Sequence, residues 1–143
     1  VSLAVYCRSA GIGAVAGLRT FTAPAATLES GGNIWAGVAI ALAAGELIGD
    51  KLPFTPSRLA PGPLIARIVS GGLCGGELAV RGAASRALGT FAGAAAAVGS
   101  AWIGASIRTS VARLGNVPDF PVALVEDGIA IVAARAAVTG APR

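Results

Sequence analysis

The chain has 143 residues, of which 55% are hydrophobic and 13% charged, with a mean hydropathy of +0.75, a net charge of +4 and a pI near 10.0. Soluble domains carry about 25% charged residues, so this chain has too little charge to cover a water-facing surface, and a lipid-covered one is expected. Histidine is absent, which removes the commonest general base and transition-metal ligand; the arginines stand singly with no interleaved aromatics, which argues against a nucleic-acid face.

The sequence reads as one integral membrane domain over residues 1–143. Runs of about 17–25 apolar residues suit a spanning helix. The first extends from about Ser9 to about Thr27 and contains Gly11, Gly13 and Gly17, then Arg19 and Pro24. Arg19 lies well inside it, so this helix is expected to be short, or bent near Phe21–Pro24. The opening stretch, interrupted by Arg8, lacks the basic-then-apolar order of an export signal, and no cleavable signal is expected. A polar turn at Glu29–Asn33 leads to a second helix over Ile34 to about Asp50, cleanly apolar until Glu46. Lys51–Pro63 holds Pro53, Pro56, Pro61 and Pro63. Each proline lacks an N–H and clashes with the preceding turn, which predicts a break there.

A third helix is predicted over Leu64–Val80, with Arg67 and Glu77 inside it, followed by a short basic turn at Arg81–Arg86. The fourth, Ala87–Ile107, has no charge. A polar connection, Arg108–Pro121, leads to the fifth, Val122 to about Val138, which opens with Glu126 and Asp127 and carries Arg135 late. Small residues recur at spacing four: Gly13 with Gly17, Gly71 with Gly75, Gly72 with Gly76, and Gly89 with Gly93. Such pairs let helix backbones approach closely in lipid. Lys51 and Arg58 place the break on the cytoplasmic side by the positive-inside rule, although Arg81 and Arg86 then fall outside, against the same rule. Two helices with paired acids, Glu46 with Asp50 and Glu126 with Asp127, allow a loose inverted repeat.

Chemistry is expected around Gly45–Arg58. Glu46 and Asp50 are four apart and share a helical face, and Lys51 follows directly. A carboxylate at membrane depth is costly unless it is paired or faces water. Two of them can hold a cation, share a proton, or pair with Arg19, Arg58 or Arg67 to fix helix packing. Glu126 and Asp127 diverge by about 100° on a helix, so one of them is expected to face the core. Carbonyls freed at Leu52–Pro53 would favour a cation beside the acids. Cys7 and Cys74 have no CxxC spacing and read as two small buried residues.

Gly11–Ala26 (GIGAVAGLRTFTAPAA), Gly45–Arg58 (GELIGDKLPFTPSR), Gly62–Gly72 (GPLIARIVSGG) and Val122–Ala130 (VALVEDGIA) resemble, in this order, the small bacterial membrane proteins catalogued as the domain of unknown function 4126. The resemblance covers most of the chain. It implies a polytopic membrane protein without an agreed activity, with Arg19, Thr20, Glu46, Asp50, Lys51, Pro53, Arg58, Arg67, Glu126 and Asp127 at the family's motif positions. Glu46-Leu-Ile-Gly-Asp-Lys51 is also similar to the Glu-x-Gly-Asp-Lys signature of cation/proton exchangers, with one extra residue that rotates Glu46 by about 100°.

The expected fold is therefore all-α: a polytopic membrane bundle of about five helices, some broken, in the bacterial inner membrane. The expected function is a small transporter or channel-like protein for a cation, a proton or a small solute. Glu46 and Asp50 would bind a cation or proton, Glu126 would assist, and Arg19 and Arg67 would serve as counter-ions or anion contacts; Asp127, Lys51 and Arg58 complete the expected binding residues. One protomer offers little room for a pathway, so a homo-oligomer, most simply a dimer, is expected. The rival expectation is a non-catalytic accessory subunit of a larger membrane complex, docking through its glycine faces. A lipid-acting enzyme would need Ser70 or Thr20 as nucleophile with no histidine to activate it, so no catalysis and no cofactor are expected.

Overall fold

Six α-helices and no strand make up the described part of a computed structural model, residues 2–49, 59–115 and 118–139. They are α1 (Ser2–Leu18), α2 (Thr22–Ser30), α3 (Ala36–Gly49), α4 (Pro61–Arg81), α5 (Arg86–Arg113) and α6 (Asp119–Val138). Asp50, Lys51 and Arg58 lie outside the described residues.

The centre is α1, α4 and α5, packed on one another; α6 lies along α1 and α2, and α3 rests on α2. The reason is a row of missing side chains. The buried stripe of α5 is Gly89, Gly93, Ala97, Ala101 and Gly104. A Cβ on Gly93 would run into the backbones of Gly71 and Gly75, and one on Gly13 into the backbone of Gly93. Three backbones thus meet with nothing between them, and dispersion contacts replace side-chain interlocking. Hydroxyls tie the same seams: Ser9 Oγ donates to Gly75 O at 2.8 Å, and Ser100 Oγ to Ala14 O at 2.8 Å. Gly72 and Gly76 face Thr90 of α5. The glycine pairs are used within the protomer, so they do not form the outward docking faces expected above.

An apolar core of Ile12, Val15, Leu78 and small residues is buried together with charged side chains, while many bulky apolar side chains face outward. The largest fully buried side chain is an arginine, Arg19, with Ile12, Leu78, Val15 and Ser9 next in size. The outward-facing ones include Leu88, Phe91, Trp102 and Ile107 on α5, and Phe120, Leu124, Ile129 and Val132 on α6. Among the described residues, α4 and α5 are long and apolar enough to cross a membrane. Helices α1 and α3 are apolar but shorter, and α6 carries Glu126, Asp127 and Arg135.

Several boundaries differ from expectation. The first predicted helix is two, because the chain breaks at Arg19–Phe21. Pro24 is not the cause: it is third in α2, in the first turn, where its missing N–H has no intrahelical partner to lose. Pro61 and Pro63 likewise occupy the first turn of α4 rather than a non-helical segment. Helix α5 continues past Ile107 to Arg113 and absorbs part of the predicted polar connection. Of the two cysteines expected to be buried, Cys74 is and Cys7 is exposed.

Candidate functional site

The break between α1 and α2 strands backbone groups at both helix ends, and other helices supply their partners. Arg19 N still donates to Val15 O at 2.7 Å, closing α1. Beyond it, the carbonyls of Gly17 and Leu18 accept from Arg67 Nη1 of α4, the latter at 3.1 Å. The N–H groups of Thr20 and Phe21 donate to the two carboxylate oxygens of Glu46 on α3, at 2.7 and 2.8 Å. Thr20 O accepts from Ser70 Oγ of α4 at 2.6 Å. The signs follow the helix dipoles: the carboxylate meets the start of α2, and the guanidinium meets the end of α1.

Charge is concentrated at the same place. Arg67 Nη2 lies 3.9 Å from Glu46 Oε1, with side chains 3% and 9% exposed. Arg19, next to the broken backbone, is ion-paired with Asp127 of α6. Among the described residues, Arg19, Arg67, Glu46 and Asp127 thus bring two guanidinium groups and two carboxylates together out of water. Removing four charges from water is costly, and mutual pairing plus backbone hydrogen bonds offset that cost.

Glu126 pairs with Arg108 of α5. It accepts from Arg108 Nε and Nη2 at 3.2 and 3.0 Å and lines an apolar groove of about 320 Å³ with Leu18, Ile107 and Val125. The adjacent acids of α6 thus point to different partners, and Asp127 is the one drawn to the break. Of the residues singled out from the sequence, Arg19, Glu46, Arg67 and Asp127 come together, Glu126 pairs with Arg108, and Asp50, Lys51 and Arg58 fall outside the described residues.

Sequence reasoning missed Ser70 as a backbone hydrogen-bond donor and Arg108 as the partner of Glu126. Ser70 stands three residues after Arg67, on the same helical face, which was the available signal. Among the described residues, no group of three His, Cys, Asp or Glu is placed to hold a metal ion.

No family model, curated protein or solved structure matches this chain.

Proposed function

We propose that this chain is a small multi-pass protein of the bacterial inner membrane that passes a small ion or solute by way of the α1–α2 break. The observation that carries the reading is a buried arginine–carboxylate set at a broken helix, beneath an exterior with many exposed Leu, Ile, Phe and Trp side chains. Lipid is the solvent that such an exterior suits. Broken helices with polar side chains at the discontinuity are where membrane transporters handle their cargo. The likeness to the domain of unknown function 4126 agrees with this reading, and Arg19, Thr20, Glu46, Arg67 and Asp127 are among its motif positions. We propose that family for the chain, and a dimer as its working unit. A bare cation fits the described site less well than the sequence suggested, because each carboxylate there already faces a guanidinium or an N–H.

Proteoliposomes loaded with a pH-sensitive dye in chloride medium, with the membrane potential clamped, test the reading. The wild-type protein should dissipate an imposed proton or chloride gradient faster than protein-free vesicles, and Glu46→Gln should bring the rate close to background. Rates equal to background for the wild type would overturn it.

A second reading, a non-catalytic subunit of a larger membrane complex, draws on the same pairing. Ion pairs such as Arg19–Asp127 and Arg67–Glu46 can serve to fix the packing of helices. Purification in mild detergent separates the two: stoichiometric partner proteins favour the subunit, and a uniform self-oligomer favours the transporter.

A further inference from the structure

Helix α4 carries a polar stripe along its length. Arg67, Ser70, Cys74, Glu77 and Arg81 recur at spacings of three and four, which places them on one helical face. The packing of α4 on α1 and α5 centres on Gly71, Gly75 and Leu78, and Cys74 belongs to both this core and the polar stripe. The polar stripe borders a cavity of about 400 Å³ between α2 and α4. Ser70, Cys74, Glu77 and Arg81 line it from α4, and Pro24 and Thr27 from α2. Its inner end is Ser70, hydrogen-bonded to Thr20 at the break. Its outer end is Arg86, where α5 begins. Between Ser70 and Arg81 the helix rises about 16 Å. Ser70 and Cys74 are buried, while the side chains of Glu77 and Arg86 are 39% and 65% exposed.

We infer that this cavity is a vestibule, filled with water, that admits small anions from the Arg81–Arg86 end of the bundle to the α1–α2 break. The inference rests on the transport reading above and adds a route and a sign of charge. Two arginines and one glutamate stand at the outer end, so its net charge is +1. Arg81 is a fixed wall: Nε donates to Glu77 at 3.1 Å, Nη1 to Ser30 Oγ at 3.0 Å and Nη2 to Thr27 O at 3.1 Å. Arg86 is held only loosely, 3.9 Å from Glu77, and its side chain is mostly exposed. The apolar walls of Pro24, Leu28 and Leu73 keep the local dielectric low, which extends the reach of that charge.

Cys74 lines the cavity and serves as a native reporter once exposed Cys7 is replaced. Cys7→Ser protein in liposomes is treated on both faces with two membrane-impermeant methanethiosulfonates, one bearing a sulfonate and one a trimethylammonium group. Both should modify Cys74, and with each rate taken relative to that reagent's rate with a free thiol in solution, the anionic reagent should be faster by on the order of tenfold. Arg86→Gln, at an exposed position, should bring the two relative rates together. Cys74 that reacts only after unfolding in SDS, or that reacts at least as fast on this relative scale with the cationic reagent, would overturn the inference. Chloride flux in the same vesicles separates the two claims. Flux with Cys74 unreactive removes the vestibule and keeps transport. Anion-preferring modification without flux keeps the vestibule and removes transport.

Discussion

Arg19 and Asp127 stand 108 residues apart in sequence, and their ion pair joins the end of α1 to the middle of α6. The guanidinium is fully buried and the carboxylate side chain is 10% exposed, so neither charge can fall back on water if its partner is lost. Breaking such a pair from one side costs about 3–5 kcal/mol, whereas replacing both members by apolar groups of similar size is often neutral. Asp127→Asn and Arg19→Met should each destabilise the protein by that amount in detergent unfolding. The double variant Arg19→Met/Asp127→Leu should recover most of the loss. A double variant as unstable as the sum of the singles would show that the pair is not what holds α6 in place.

Glu46 satisfies two backbone donors with its two oxygens. Glutamine keeps a single acceptor, so Glu46→Gln should leave one N–H at the break without its bond, at a cost of about 1–3 kcal/mol. Amide hydrogen exchange localises the effect. Exchange at Thr20 and Phe21 should quicken, and exchange in the centre of α5 should not.

The glycine seam predicts a contrast within one helix. A Cβ at Gly93 collides with the backbones of Gly71 and Gly75, and backbone cannot swing aside, so Gly93→Ala should cost at least about 1–3 kcal/mol. A Cβ at Gly99, also in α5, meets nothing within 4 Å. Gly99→Ala should be neutral or stabilising by up to about 1 kcal/mol, the ordinary helix preference of alanine. Paired melting curves in one detergent decide it.

Much of the helical pattern was legible in the sequence, for reasons visible in particular residues. The uninterrupted apolar run after Arg86 and the prolines before Leu64 located the starts of α5 and α4 within a few residues. The break in the first helix was expected near Phe21–Pro24, yet proline drew attention to the wrong side of it. The chain breaks at Arg19–Phe21 because Glu46, Arg67 and Ser70 supply partners for the freed backbone, and those partners come from elsewhere in the chain. No local signal encodes such a long-range match. The same holds for Asp127 over Glu126: adjacency in sequence showed that they diverge, but only the position of Arg19 decides which one turns inward. The glycine pairs announced close packing, while their use inside the protomer depended on how three helices come together.

The turn between α4 and α5 carries a conformational mismatch. Ala83 has a φ of 53°, a left-handed conformation that glycine adopts freely, while Gly82 just before it has an ordinary φ and lies against Val5. Glycine is needed at 82 for space and would suit 83 for conformation. Ala83→Gly should therefore stabilise the protein by about 1 kcal/mol, and Gly82→Ala should destabilise it by collision with Val5. Thermal unfolding of the two variants beside the wild type checks both signs.

The central claim is that lipid covers the outer surface while Arg19, Arg67 and Asp127 are buried within. Alkaline carbonate washing of membranes from cells making the full chain tests this most directly. The protein should stay in the pellet after washing and enter solution only with detergent. A monodisperse protein recovered in plain buffer would contradict the account at its base, because Phe91, Trp102 and Ile107 would then face water and Arg19 would be buried for some other reason.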